Sequence, residues 1–190
     1  RPERTDRVGR VSPAAATAAD VVRLAVQADD LDRLAVAVES CRACSRLVAW
    51  REQVATEKRA AYRDQEYWGR PVPGFGDPAP GVLVVGLAPG AHGANRTGRV
   101  FTGDRSGDWL YGSLHRVGLA NQPTSTDRGD GLALDGARVT AAVRCAPPGN
   151  RPSGGERDCC APWLTREVEL VLPSLRVVVA LGGFAWQATW

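Results

Sequence analysis

Three short apolar runs rich in β-branched residues constrain this chain more than any other feature: VLVVGLAPG from Val82, ARVTAAVRC from Ala137 to Cys145, and LRVVVALGG from Leu175 to Gly183. Such runs, closed by glycine, proline or a turn, are how buried parallel strands read. Between them lie two helical candidates, SGDWLYGSLHRVG and CAPWLTREVELVLPS. Strand, helix, strand, helix, strand predicts a doubly wound α/β layer whose functional loops gather at the carboxyl ends of the strands. After the third run only FAWQATW remains, about two helical turns, so the sequence reads as cut short within a crossover helix.

Upstream of this layer, DDLDRLAVAVESC places Leu31, Leu34, Ala35 and Val38 on one helical face, with Asp29 or Asp30 able to cap it. The charged stretch WREQVATEKRAAYRDQEYWGR predicts a helix up to Gly69, and PVPGFGDPAPG reads as a loop. Residues 1–20 lack apolar periodicity and read as a disordered or non-native leader, which leaves 21–190 as one domain. The phrases VRLAVQA and DRLAVAV are alike, but two such copies do not make a repeat architecture. At 44% hydrophobic and 24% charged, the 190 residues suit an ordinary globular domain. No run approaches the roughly 20 apolar residues that span a bilayer, and the first residues lack a signal-peptide core, so a cytoplasmic location is expected.

Two sets of residues carry chemistry. The loop GLAPGAHGANRTGRVFTGD, Gly86 to Asp104, offers Gly86, Gly90, Gly93 and Gly98 for close backbone approach, together with Asn95, Arg96, Arg99 and the aromatic Phe101. That describes a pocket for a flat polar ligand near phosphates, and its spacing is neither of the standard phosphate-loop patterns. The net charge of +3 is mild, and Lys58 is the only lysine among 24 basic residues. A GC-rich genome accounts for that bias, and arginine also suits phosphate contacts. Five cysteines, Cys41, Cys44, Cys145, Cys159 and Cys160, without an export signal argue for metal or catalytic use over disulfides. Cys41-Arg-Ala-Cys44 serves as half of either a zinc or an iron–sulfur site. No second CxxC pair is present, and the 15 positions from Cys145 to Cys160 fit four thiolates around a 4Fe-4S cluster better than a zinc knuckle.

The stretch GLAPGAHGANRTGRVFTGDRSGDWL resembles the first active-site motif of family 5 uracil-DNA glycosylases. VRCAPPGNRPSGGERDCCAPWL resembles the iron–sulfur segment shared by families 4 and 5, and with CRAC and EYWGRPVPGFGD the likeness runs from about Leu31 to Trp190. The resemblance implies a three-layer α/β/α sandwich with a mostly parallel central sheet. It implies a monofunctional glycosylase, acting as a monomer, that flips uracil and other deaminated bases such as hypoxanthine out of double-stranded DNA and leaves an abasic site. Full family members continue into another strand and a His-Pro-Ser type motif whose histidine stabilises the leaving base. On that reading residues 1–190 alone excise poorly or not at all.

The same resemblance assigns roles. Cys41, Cys44, Cys145 and Cys160 hold the 4Fe-4S cluster; Cys160 precedes Ala-Pro-Trp as the family's last ligand does, and Cys159 is spare. Phe101 stacks on the extruded base, with the backbone of Gly86, Leu87, Ala88, Gly90 and Ala91 forming the cradle. Related families carry a water-positioning carboxylate or asparagine early in this motif; here no carboxylate precedes Asp104. Asp104, Asn150 and His92 are therefore the catalytic candidates. Asp104 also suits a helix cap, Asn150 a turn, and His92 the support of a turn. Arg96 and Arg99 are candidates for phosphate contacts, and His115 reads as packing on a helix. The family 4 asparagine that reads uracil falls at Ala141, which implies looser base reading. A related branch that bonds covalently to uracil has acidic residues where this chain has His92 and Gly93, which sets it aside. Two other classes remain: a damaged-DNA-binding iron–sulfur protein without catalysis, and an electron-transfer protein.

Overall fold

The structure is a computed structural model and describes residues 14–190. Helix α1 (Ala18–Gln27) opens with a reciprocal cap in which the Thr17 hydroxyl and the Asp20 carboxylate each receive the other's backbone N–H. The leader expected over 1–20 therefore gives way to folded chain no later than Ala15, which is fully buried, and residues 1–13 lie outside the described residues. Helix α2 (Leu31–Glu39) is capped by Asp30, and Leu34 and Val38 of the expected face are buried with Ala37. The two Arg-Leu-Ala-Val copies fall on these neighbouring helices.

Helix α3 (Ser45–Glu57) begins at Cys44 and stops at Lys58, whose φ of 55° cannot continue a helix. The helix expected up to Gly69 is thus broken: a short 3-10 turn, Ala60–Tyr62, follows and turns the chain toward the sheet. The proline- and glycine-rich segment beyond it is not wholly loop, since Phe75–Gly76 forms β1.

Strands β2 (Val82–Gly86), β3 (Ala137–Ala141) and β4 (Val177–Ala180) fall in the three apolar runs, and the sheet order is β1-β3-β2-β4. β2 pairs in parallel with both β3 and β4, while β1 is antiparallel to β3. The sheet is mostly parallel, as expected. Side chains on β2 alternate between layers: Val84 packs with Tyr111 and Leu114, whereas Leu83 and Val85 pack with Leu164 and Ala185. Those partners lie on α5 (Arg105–Arg116) on one face and on α6 (Gly154–Val171) and α7 (Gly183–Thr189) on the other. The architecture is α/β/α. The third run forms β4, which is an edge strand among the described residues, with Val177 and Val179 exposed.

A buried ionic group pins β3 to α6. Glu167 accepts from Arg138 Nε at 2.6 Å, Arg144 Nη2 at 2.6 Å and Thr140 Oγ1 at 2.7 Å. Burial works to raise the Glu167 carboxyl, but the two guanidiniums outweigh it and hold the group at about 2. Gly74 makes the room, because a β-carbon there would stand 1.9 Å from Glu167 Oε1.

Candidate active site

The carboxyl ends of the strands open into a cleft of about 700 Å³. Leu87, Ala88, Gly90 and Ala91 come from the loop after β2, Leu181 from the residue after β4, and Phe101, Asp104, Arg105 and Asn150 close the rim. Strand pairing continues past β2 and β3, with Ala142 N–H donating to Gly86 O and Val143 N–H to Leu87 O, so the cradle is fixed to the sheet. Short helix α4 (Ala94–Thr97) then reverses the chain.

Phe101 has φ 50°, a left-handed conformation that a bulky residue adopts only when its surroundings impose it. Two glycines make room for it here. A β-carbon on Gly107 would stand 1.9 Å from the Phe101 carbonyl oxygen, and one on Gly86 would stand 2.5 Å from ring atom Cζ. The first lets α5 press on the Phe101 backbone; the second lets the ring lie on the end of β2, at the wall of the cleft.

Asp104 divides its carboxylate between two tasks. Oδ1 caps α5, accepting from the N–H groups of Ser106 at 3.0 Å and Gly107 at 3.1 Å and from the Ser106 hydroxyl. Oδ2 makes no protein hydrogen bond among the described residues and lies over Gly93 and Gly90, where added β-carbons would approach it to 1.9 and 3.0 Å. One oxygen is structural and the other faces the cleft.

His92 Nδ1 meets the Tyr67 hydroxyl at 3.0 Å, and that hydroxyl oxygen accepts the Arg59 N–H at 3.4 Å. In the tautomer that accepts the hydroxyl proton at Nδ1, Nε2 carries the ring proton and has no protein partner among the described residues. Burial, followed by the charges of Arg59 and Arg96, holds the imidazole below its ordinary value and so in its neutral form. Asn150 stands exposed at the rim with φ 55°, a conformation asparagine tolerates well, and its side-chain amide is unpaired among the described residues.

The arginines differ from expectation. Arg99 is buried: it donates to Asp130 at 2.9 and 2.6 Å and to Ser125 and Thr102, and so anchors the loop around Asp130. It cannot reach a phosphate without abandoning a buried carboxylate. Arg96 is a brace, donating to His92 O, Gln65 and Gly103 O while stacking over Tyr62. The cations that line the cleft without an ion pair among the described residues are Arg59 and Arg105. Neither was singled out from sequence. Arg59 lay in the supposed long helix, and Arg105 had one available signal, a cation at a helix start where the dipole disfavours it. His115 is exposed, with Nδ1 at 3.0 Å from Ala120 O, and takes no part in the cleft.

Behind the cleft, all five cysteines line one small apolar pocket with Arg51, Arg144 and Trp163. Among the described residues no three His, Cys, Asp or Glu side chains close on a point where a single metal ion could sit. The donor set is sulfur alone, and it is met by N–H groups: Arg51 Nη1 donates to Cys145 Sγ at 3.0 Å and Arg144 N to Cys160 Sγ at 3.3 Å. Burial pushes the Cys145 thiol up to about 11 and Cys160 to about 12, so metal would have to displace their protons. Soft donors ringing a pocket, with N–H groups aimed at sulfur, fit an iron–sulfur cluster. Cys160 is the sulfur held by a backbone N–H, while Cys159 is only half-buried beside it.

The sequence model of the uracil DNA glycosylase superfamily matches residues 73–190, which include the cradle, Phe101, Asp104, Asn150 and three of the cysteines. The chain belongs to this superfamily. Its branch is given by a type-5 uracil-DNA glycosylase of Thermus thermophilus, 56% identical over 160 residues that cover 84% of this chain and 71% of that protein. A type-5 enzyme of Mycobacterium tuberculosis is 60% identical over 164 residues, 86% of this chain and 61% of that protein. A type-4 enzyme of Pyrobaculum aerophilum is more distant, at 36% over 118 residues, 62% of this chain and 52% of that protein. The chain spans 61% of the length of the mycobacterial relative. Ala141 is nearly fully buried beside Phe101 and Asp104 in a hollow of about 30 Å³ that adjoins the cleft.

Proposed function

We propose that the protein carrying these residues is a monofunctional DNA glycosylase that removes uracil, and also hypoxanthine, from double-stranded DNA. The observation that carries this reading is the convergence of the Phe101 ring, the free Asp104 Oδ2 and the His92 imidazole on one cleft at the strand ends. The extruded base stacks on Phe101 with its edge toward the loop backbone. Asp104 Oδ2 accepts a proton from the water that attacks C1′. As the new C–O bond forms, the glycosidic C–N bond breaks and its electron pair passes to the base. The neutral His92 donates from Nε2 to the base as negative charge gathers there, and the Asn150 amide holds the sugar edge at the rim. Ala141 leaves the base without a discriminating partner, which supports a range wider than uracil.

Cys41, Cys44, Cys145 and Cys160 would hold a 4Fe-4S cluster, whose contribution is structural: it ties α3 to the segment after β3. Arg59 and Arg105, in place of Arg96 and Arg99, meet the DNA backbone. The protein acts as a monomer in the cytoplasm; among the described residues no helix is long and apolar enough to cross a membrane. The test is excision from a uracil-containing duplex by the natural full-length protein, read as strand breaks after alkali. Binding to the duplex without breaks would instead favour a damage-recognition protein.

A further inference from the structure

Arg51 is 2% exposed, yet among the described residues no carboxylate is hydrogen-bonded to it. The nearest acid oxygen, on Glu52, is 3.9 Å away and belongs to a side chain already engaged by Arg42. Its guanidinium instead donates to Cys145 Sγ at 3.0 Å and to the Cys41 carbonyl at 3.0 Å, and its Nε is buried without a partner. A buried cation without an anion costs several kcal/mol, so this one calls for negative charge in the thiol pocket. A second excess lies on the other side. Arg138 and Arg144 share the single carboxylate of Glu167, and Arg144 lines the same pocket with its Nε also unpartnered.

Among the described residues two surplus positive charges are thus buried around the cysteines, one on Arg51 and one on the Arg138–Glu167–Arg144 group. Four thiolates on a resting cluster core with two positive charges make a dianion, which matches that surplus. We infer that Arg51 is the counter-cation of the cluster, setting its charge balance and holding the Cys145 thiolate in place. The backbone of Arg51 is tied to the loop that forms the cradle, because Asn95 donates to its carbonyl at 3.2 Å. One residue therefore joins the sulfur pocket to the substrate loop. This inference rests on the cluster proposed above.

The test uses the full-length protein with R51M, R51K and E167Q, and reads iron content, cluster midpoint potential and the rate of bleaching in air. Removing a positive charge makes the added electron less welcome, so R51M shifts the potential to more negative values and bleaches several-fold faster. R51K, which keeps the charge, restores the potential and remains informative should R51M fold poorly. E167Q removes a negative charge and shifts the potential the opposite way. A merely structural role predicts no such reversal of sign. Wild-type iron content with an unchanged potential in R51M, or shifts of the same sign in R51M and E167Q, would overturn the inference. Wild-type protein without iron would overturn the cluster reading itself.

Discussion

The Phe101 ring lies on Gly86, so close that a β-carbon there would come within 2.5 Å of Cζ. Gly86 has no need of glycine's backbone freedom, since its φ is not positive; it is small to seat the ring. G86A should therefore displace the ring while the sheet stays intact. A misplacement of about 1 Å at a reacting site costs on the order of 100-fold, and single-turnover excision should fall by about that much. Unchanged excision would mean that the ring does not position the base.

Asp104 offers a separable pair of effects. D104A removes both the helix cap and the free oxygen, and should lose about 1 kcal/mol of stability together with activity. D104N keeps an oxygen for the Ser106 and Gly107 N–H groups but not the charge. Its unfolding midpoint in urea should stay near wild type while excision drops by on the order of 100-fold, a range set by typical acid–base contributions.

Arginines in the cleft and arginines in the core should separate in a salt titration. Each phosphate contact contributes about 0.9 to the slope of log K against log salt. R59A and R105A should each lower the slope for duplex DNA by nearly one, with little effect on folding. R99A should leave the slope alone and destabilise the fold by about 3 kcal/mol, the scale for breaking a buried ion pair.

Glu167 gives the fold an acid limit. Its folded value, about 2, lies below the ordinary 4.5, so the stability it adds is complete above about pH 4.5 and is lost as the pH falls toward 2. E167Q should unfold more easily by about 3 to 5 kcal/mol at neutral pH, and its stability should depend less steeply on pH between 4.5 and 2. Chemical denaturation at a series of pH values checks both.

The strands were legible because β2 and β3 are buried on both faces and therefore read as unbroken apolar runs. The third run is equally apolar and forms β4. α1 was missed although Thr17 and Asp20 spell a capping box, since the flanking alanines hid its periodicity. Among site residues, Phe101, Asp104 and His92 could be named from one loop. The fates of Arg96 and Arg99 could not, because their partners Gln65 and Asp130 are contributed by separate turns of the chain. Sequence shows that an arginine is present; only packing decides whether it faces solvent or a buried carboxylate. The counter-charge on Arg51 was invisible for the same reason.

The most direct test of the account is alkali-revealed strand cleavage by the natural full-length, iron-loaded protein on duplexes carrying one uracil or one hypoxanthine. The account predicts breaks at both bases, no breaks in undamaged duplex, and loss of both with D104N. An intact, folded and iron-loaded protein that leaves the uracil strand whole would contradict it.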